Sequence, residues 1–219
     1  MLIVGFSLDK TVNATSSQLR GFFATKFNEF ALLHQHESSG FLYKYPLVQY
    51  KILNDTPTVI GINEGSDVLV EIFNEYDTLN LGRKSFKIVE KHVRYDIFEI
   101  GISDSSYSYS FLTPWVALNQ ENYYTYQSFT DNIEKNTFLA KILVGNILSL
   151  SKTLRYTVPG TLVCGVLVKP EKVLVKGVPF MAFSGSFQVN YKLPDLIGLG
   201  KSVSRGYGVI MSVDTNRSL

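Results

Sequence analysis

Cysteine and long apolar runs are both scarce in this sequence, and each scarcity excludes a class of protein. The single cysteine, Cys164, excludes an internal disulfide and any zinc site built from several cysteines. No apolar run approaches the roughly 20 residues that a membrane-spanning helix requires. The first ten residues lack a basic n-region and reach a charge too early for a secretory signal peptide. We therefore expect a cytoplasmic protein with no membrane partner.

Apolar and aromatic residues, in contrast, are abundant. Hydrophobic residues make up 45% of the 219 residues, enough to build a core in one large domain or two small ones. The chain has 13 Tyr and 15 Phe, which suit both β-strands and stacking surfaces.

Charge is distributed unevenly along the chain, although its net value is only +2. Residues 1–139 hold 11 Lys and Arg against 16 Asp and Glu, a net charge of −5. Residues 140–219 hold 10 against 3, a net charge of +7. Such asymmetry indicates a basic surface on the second part of the chain, although chance segregation of solvated charges is the competing interpretation.

The pattern of apolar residues predicts two units of the same kind. Over the first hundred residues, strand and helix signals follow the order β-α-β-β-α-β, with strands at 2–8, 41–53, 58–62 and 86–100 and helices at 19–33 and after Gly65. The second part repeats this order, with a strand at 107–112, a long helix opened by Asp131, a central strand at 162–168, and strands at 183–191 and 207–213. We therefore predict an α+β fold of two tandem ferredoxin-like (βαββαβ) units, divided into domains 1–104 and 105–219.

A glycine-rich stretch, residues 193–212, takes the place of the second helix in the second unit. Two G-x-G pairs flank a basic spacer, and the candidate anion-binding residues are Gly198, Gly200, Lys201, Ser202, Arg205, Gly206 and Gly208. Glycines allow positive φ and close backbone approach, and cations with exposed N–H groups can cradle an anion. A Walker A loop is excluded because Asp195 stands where its first glycine is required, and the dinucleotide fingerprint fails at Val203. The remaining alternative is a glycine-rich hairpin with solvated charges.

Two of the three histidines, His34 and His36, stand close together after the first predicted helix. No cysteine or nearby pair of carboxylates completes a metal site around them, so we expect neither a metal nor another cofactor. Tyr43 and Lys44 follow on the next predicted strand, and His92 lies on the polar face of another. A His, a Tyr and a Lys can together deprotonate a ribose 2′-hydroxyl and protonate a leaving 5′-oxygen. The alternative is that these are ordinary exposed loop residues.

The chain resembles a known family at several of these places. Gly-x-Gly, a short basic spacer and Gly206-Tyr207-Gly208-Val209 are similar to the signature of the repeat-associated mysterious protein superfamily. The residues at 19–21, 43–51 and 60–65 resemble the N-terminal half of its CRISPR-associated endoribonucleases, which process precursor CRISPR RNA.

This resemblance implies a function and assigns roles to the residues already named. It implies metal-independent cleavage of CRISPR repeat RNA by attack of a 2′-hydroxyl on the adjacent phosphate, leaving a 2′,3′-cyclic phosphate. The catalytic histidine would be His34 or His36, which the sequence does not choose between, with Tyr43 or Lys44 as helpers. The resemblance also implies that the seven candidate residues of the glycine-rich stretch bind the repeat RNA. As further partners we expect other CRISPR-associated effector subunits and a second copy of the chain. Two alternatives stay open: a non-catalytic RNA-binding subunit of a CRISPR ribonucleoprotein, and a ferredoxin-like regulatory domain that binds a small ligand.

Overall fold

The computed structural model describes residues 1–34, 36–37, 40–41 and 45–213. These residues form two compact units, each with its own antiparallel sheet. The first unit contains Met1–Phe98 and also Val203–Gly206, and the second contains Glu99–Ser202 and the described residues after Gly206. No helix within this described part of the chain is both long and apolar enough to cross a membrane.

The first unit is ferredoxin-like, as predicted. Its elements are β1 (Leu2–Leu8), α1 (Ser16–Lys26), α2 (Ala31–His34), β2 (His36–Glu37), β3 (Gly40–Phe41), β4 (Val48–Leu53), β5 (Thr56–Gly61), α3 (Glu64–Glu71), β6 (Thr78–Leu81) and β7 (Lys84–Tyr95). The main sheet has the order β4-β5-β1-β7-β6, and all of its neighbouring strands are antiparallel. Strands β4, β5, β1 and β7 with helices α1 and α3 make the βαββαβ unit, and β6 adds a hairpin.

Helix α1 begins with a capping box at Thr15. The Thr15 hydroxyl accepts the backbone N–H of Gln18 at 3.2 Å, and the Gln18 side chain accepts the backbone N–H of Thr15 at 2.8 Å. From this start the helix packs its apolar face on the sheet. The largest fully buried apolar side chains of this core are Phe6, Leu19, Phe23, Leu33, Tyr50 and Phe86.

Helix α1 ends at Lys26, whereas the apolar spacing predicted one helix reaching Leu33. At Phe27 the backbone leaves the helical region, with φ −124° and ψ 54°, and the short helix α2 begins at Ala31. Phe27 and Leu33 are nevertheless buried in the same core. The helical spacing of the buried apolar residues therefore continues across the break between α1 and α2. Periodicity alone could not reveal that break.

Strand β4 begins at Val48, whereas a strand from Phe41 was predicted. Pro46 stands just before it and lacks the backbone N–H that a strand interior needs. Gly40–Phe41 instead forms the separate short strand β3, which pairs with β2.

The second unit repeats the topology. Its elements are β8 (Gly101–Phe111), α4 (Gln120–Ser128), α5 (Asn132–Thr153), β9 (Cys164–Val175), β10 (Val178–Lys192) and β11 (Ile210–Ser212). The sheet has the order β11-β8-β10-β9, which corresponds strand for strand to that of the first unit. The prediction of two tandem ferredoxin-like units is thus confirmed. The glycine-rich segment follows β10, where a second helix would otherwise lie.

Helix α5 covers the second sheet. Asp131 caps it by accepting the Ile133 N–H at 3.2 Å, and the buried face is formed by Leu139, Leu143, Ile147 and Leu150. The strand predicted from 162–168 to be central is instead the edge strand β9, where Leu167 is 75% exposed. The prediction was wrong because an apolar run does not report the order of strands in a sheet.

Candidate functional site

The glycine-rich segment is held to the second unit by hydrogen bonds on both sides of its turn. The Leu196 N–H donates to the Ile210 carbonyl at 2.8 Å, and the Leu199 N–H donates to the Gly208 carbonyl at 2.8 Å. The Asp195 carboxylate accepts the backbone N–H of Ser212 at 2.6 Å and its hydroxyl at 3.1 Å. The one acidic residue of the segment is therefore engaged with β11.

Gly200 and Gly208 serve the packing of the protein on itself. Both have positive φ, +91° and +66°. A Cβ on Gly200 would lie 2.6 Å from Nε1 of Trp115, and one on Gly208 would overlap the Leu199 carbonyl oxygen. The predicted RNA-binding residue Gly198 is buried as well and bridges to Val209.

The backbone donors of this segment are also used internally. The N–H groups of Lys201, Gly206 and Gly208 donate to the carbonyls of Val116, Val203 and Pro114, at 2.9, 3.0 and 2.9 Å. The predicted anion cradle counted on such N–H groups. The N–H groups of these three residues therefore already have partners, and contact with a phosphate here would rest on the side chains of Lys201, Ser202 and Arg205. Lys201 is exposed, whereas Ser202 and Arg205 are half-buried.

Residues Val203–Gly206 belong to the first unit, where they pack on α1 and β4. Gly206 has φ +82°, and a Cβ there would overlap the Ser16 hydroxyl and lie 3.0 Å from the Tyr50 carbonyl oxygen. Only glycine allows the chain to pass this close to the start of α1 and to β4. The seven predicted RNA-binding residues are thus divided between the two units.

Two guanidinium groups lie near each other in the first unit. Burial lowers the pKa of Arg205, and the nearby charge of Arg20 lowers it further. The pKa of Arg20 is also lowered by burial, although the Tyr50 side chain opposes this shift. Like charges that are partly removed from water raise each other's energy, so an anion bound beside them would be stabilised. Arg20 stands one helical turn after Ser16, on the same side of α1.

The predicted catalytic histidines also lie in the first unit, after helix α1. His34 is the last residue of α2, and His36 is the first residue of β2. The Tyr50 hydroxyl donates to the carbonyl of Leu33, the residue before His34, at 3.0 Å. Tyr43 and Lys44 lie outside the described residues.

Tyr50 therefore contacts both parts of the candidate site in the first unit. Its carbonyl oxygen faces Gly206, next to Arg205, and its hydroxyl holds the end of α2 that leads into His34. Sequence reasoning missed Arg20 and Tyr50 as members of this region. The helical spacing could have placed Arg20 on the same side of α1 as Ser16, which lies next to Gly206. Nothing in the sequence indicated the hydrogen bond of Tyr50.

Within the part of the chain that the structure describes, no group of three or more His, Cys, Asp or Glu residues is placed to hold a metal ion. His92, the third histidine, lies on β7, 2.7 Å from the Ser7 hydroxyl and 3.6 Å from Glu90. It is a surface residue within a polar face, in agreement with its pattern in the sequence.

Comparison with known proteins identifies the family. The model of the Cas6b N-terminal domain matches residues 1–99, and the model of the Cas6b C-terminal domain matches residues 101–213. The chain belongs to the Cas6b family. An uncharacterized protein of Methanocaldococcus jannaschii is similar to the Cas6b chain described here, with 39% identity over 145 residues, which cover 66% of this chain and 98% of that protein.

Solved Cas6b structures share the whole fold. A crystal structure of Cas6b is 34% identical, with a TM-score of 0.89, and the match covers 97% of this chain and 98% of that one. A second, described as the CRISPR RNA processing endoribonuclease Cas6b, is 31% identical, with a TM-score of 0.77 and the same coverage. The type IV Cas6 crRNA endonuclease Csf5, at 13% identity and a TM-score of 0.57, is similar in fold alone. The family resemblance predicted from the sequence is confirmed.

Proposed function

We propose that this Cas6b chain is an endoribonuclease that cleaves CRISPR repeat RNA without a metal ion. A solved relative with 31% identity is described as a CRISPR RNA processing endoribonuclease, and its match covers 97% of this chain. The structural observation that supports the proposal most is the position of Tyr50, which contacts both the segment carrying Arg205 and the helix end before His34. A cation and a histidine in one region suit phosphodiester chemistry.

The proposed reaction needs only a base, an acid and charge stabilisation. The base removes the proton from a ribose 2′-hydroxyl, and the 2′-oxygen attacks the adjacent phosphorus. The bond from phosphorus to the 5′-oxygen breaks, and the acid gives that oxygen a proton, so the products are a 2′,3′-cyclic phosphate and a 5′-hydroxyl. One of His34 and His36 acts as base or acid, with Tyr43 or Lys44 assisting.

In this proposal the basic residues bind the RNA backbone. Arg205 and Lys201 would contact phosphates by their side chains, and Gly198, Gly200, Ser202, Gly206 and Gly208 would shape the segment that presents them. In this proposal the histidines come from the first unit, and residues 140–219, with their net charge of +7, supply most of the basic surface. A substrate of this kind implies a cytoplasmic location, with other CRISPR effector subunits as further partners.

The proposal is tested by incubating the protein with its repeat RNA in excess chelator. We expect cleavage to persist and to leave a 2′,3′-cyclic phosphate, identified by its resistance to direct 3′-end ligation until the cyclic phosphate is removed. A 3′-hydroxyl product, or activity lost in chelator and restored by Mg²⁺, would contradict the mechanism. RNA that is bound and never cut would favour the non-catalytic RNA-binding subunit.

The binding role of the glycine-rich segment gives a separate prediction. Changing Lys201 and Arg205 together to Ala should weaken RNA binding and reduce the slope of log affinity against log salt by about one unit per lost phosphate contact. The measurement is the dissociation constant of a labelled repeat RNA at several salt concentrations.

The matched control removes two other cations. Lys84 and Lys87 are exposed on β7, so their double Ala variant loses the same net charge far along the sequence from the segment. If both double variants lower the salt slope equally, the effect is one of net charge and the segment is not the phosphate site.

A further inference from the structure

Helix α5 and the edge strand β9 border an open groove in the second unit, with a volume of about 520 Å³. Its walls are mainly apolar: Ile133, Ala140 and Val144 on α5, and Leu162, Cys164 and Val166 on or just before β9. Ile133 is 74% exposed, so the apolar wall of the helix is open to solvent. A concave apolar surface beside the edge of a sheet is a candidate binding site.

Strand β9 has an open backbone edge next to this groove. Among the described strands it pairs only with β10. The register between the two strands runs without a shift, from Cys164 opposite Val189 to Val175 opposite Val178. Unpaired N–H and C=O groups along such an edge are a template for another strand.

Backbone hydrogen bonds show which groups of β9 face the open edge. The Asn190 N–H donates to the carbonyl of Val163, the residue directly opposite, at 3.2 Å, so β10 faces β9 at this position. Hydrogen-bonded pairs alternate along an antiparallel ladder, so residues 165 and 167 also bond to β10. Cys164, Val166 and Val168 therefore turn their N–H and C=O groups away from β10, toward the open edge.

The other end of the ladder agrees with this alternation. Phe183, which lies directly opposite Pro170, exchanges both of its backbone bonds with Trp115, at 2.9 and 2.8 Å, and Trp115 is not part of β9. Pro170 therefore faces the open edge as well, where its missing N–H costs no bond to β10. It ends the series of outward N–H donors that begins at Cys164.

The residues whose backbone groups face the edge also direct their side chains into the groove. Cys164 and Val166 lie opposite Val189 and Phe187, which are buried, and directly opposite residues share a face of the sheet. Leu167 lies on the other face and is 75% exposed. A strand added at this edge would therefore place every second side chain against α5.

We propose that this groove binds an extended, acidic segment of another protein, which adds to the second sheet as a fifth strand antiparallel to β9. Three alternate residues of the segment form hydrogen-bonded pairs with Cys164, Val166 and Val168, and their side chains enter the groove. The proposal concerns recruitment of a partner and stands independently of the proposed reaction.

The charge of the groove selects an acidic segment. Among the described residues that line it, Lys141 is the one with a charge, and residues 140–219 carry a net charge of +7. A carboxylate among the apolar side chains of the segment would lie near Lys141, whereas a basic segment would be repelled.

The chemistry of the groove favours a peptide over RNA. Single-stranded RNA is bound by several cations together with aromatic side chains on which bases stack. The described lining of the groove offers one cation and no aromatic side chain. Its outward N–H and C=O groups instead match the backbone of an extended peptide.

Two synthetic peptides test the charge. The probe is fluorescein-labelled Thr-Val-Thr-Glu-Thr-Val-Thr, in which Val, Glu and Val enter the groove, and the control peptide has Lys in place of Glu. Measured by fluorescence anisotropy, the dissociation constant of the Glu peptide should be on the order of 100 µM, and the Lys peptide should bind about fivefold more weakly.

A charge reversal in the groove should invert this preference. Lys141→Glu should bind the Lys peptide more tightly than the Glu peptide. Lys152→Glu makes the same change of charge at an exposed position of α5 outside the groove, and it should keep the wild-type preference. No binding of the Glu peptide at about 2 mM, or a preference that Lys141→Glu leaves unchanged, overturns the proposal.

Backbone changes test the edge itself. N-methylation of the peptide's Glu removes an N–H that faces β9 and should abolish binding, whereas N-methylation of the Thr that follows it, whose N–H faces away from β9, should not. Val166→Pro removes an N–H at the open edge and leaves the bonds of β9 to β10 intact, so it should also abolish binding while circular dichroism stays unchanged.

Cys164, the one cysteine of the chain, reports where the peptide lies. Saturating Glu peptide should slow the alkylation of Cys164 by a maleimide several-fold. Alkylation at an unchanged rate, binding that survives Val166→Pro, or displacement of the peptide by repeat RNA overturns the proposal. A Val166→Pro variant whose sedimentation differs from that of wild type assigns the edge to a second copy of the chain and likewise overturns it.

Discussion

Replacing both His34 and His36 with Ala is expected to lower the single-turnover rate of repeat RNA cleavage by about 10²–10⁴-fold, the range typical of general acid–base catalysis. The affinity for RNA should change little, because a neutral imidazole adds little attraction to phosphate. One of the two single variants should account for nearly all of the loss. The measurement is the cleavage rate at saturating protein, with the dissociation constant determined in parallel.

The chain supplies a control for this experiment. His92→Ala removes the third histidine, which lies on β7 and contacts Ser7 and Glu90 at the surface. We expect it to cleave at the wild-type rate. If the double variant of His34 and His36 also cleaves at the wild-type rate, the catalytic assignment is wrong.

The second large effect is expected at Lys51, a lysine with no exposed surface on strand β4. Its Nζ donates to Oε1 of Gln49 at 2.8 Å, and Nε2 of Gln49 donates to the Tyr45 hydroxyl at 2.8 Å and to the Pro46 carbonyl at 3.2 Å. Burial lowers the pKa of Lys51 from 10.5 to about 7. In the folded protein this amine is therefore about half neutral near pH 7 and mostly neutral at higher pH.

This pKa links folding to pH in a defined direction. Between pH 7 and pH 10 the unfolded chain binds a proton at Lys51 that the folded protein largely lacks, so the free energy of unfolding rises with pH. From pH 7 to about pH 9.5 we expect a contribution on the order of 3 kcal/mol. The contribution is lost as the pH falls toward the folded pKa of about 7.

Lys51→Met should remove this dependence. The free energy of unfolding of this variant, measured by urea titration at each pH, should depend little on pH where that of wild type rises. Only the titration of other groups should contribute to its pH dependence. Lys87→Met, at an exposed position of β7, is the matched control and should keep the wild-type slope. Measurements should end below pH 10, because burial raises the pKa of Tyr50 and Tyr76, and their ionisation in the unfolded chain opposes the effect. Equal slopes for wild type and Lys51→Met would contradict the prediction.

Much of the fold could be predicted because it rests on local patterns. Thr15 and Asp131, which cap α1 and α5, are polar residues that stand just before a series of apolar residues at helical spacing. In the predicted strand at 183–191, apolar Phe187, Val189 and Tyr191 alternate with polar residues, and all three are buried in the structure. The repeated order of strands and helices then led to the tandem ferredoxin-like fold, since few topologies satisfy that order.

The candidate site was predictable in part. The glycine pairs and the two histidines could be found in the sequence because each is a short motif. The roles of Gly200 and Gly208 came from the structure, which places Trp115 and the Leu199 carbonyl where a Cβ would stand. Such contacts join residues far apart in the chain, so no local pattern reports them.

Local spacing and charge were therefore sufficient for the main strands and helices of the two βαββαβ units, their order and the family motifs. Tertiary packing alone decided that α1 stops at Lys26, that β9 lies at a sheet edge, that Lys51 is buried and that Val203–Gly206 joins the first unit. The physical reason is common to all four. Apolar periodicity records which side of an element is buried, whereas strand order, helix breaks and buried charges depend on which distant segments pack against it.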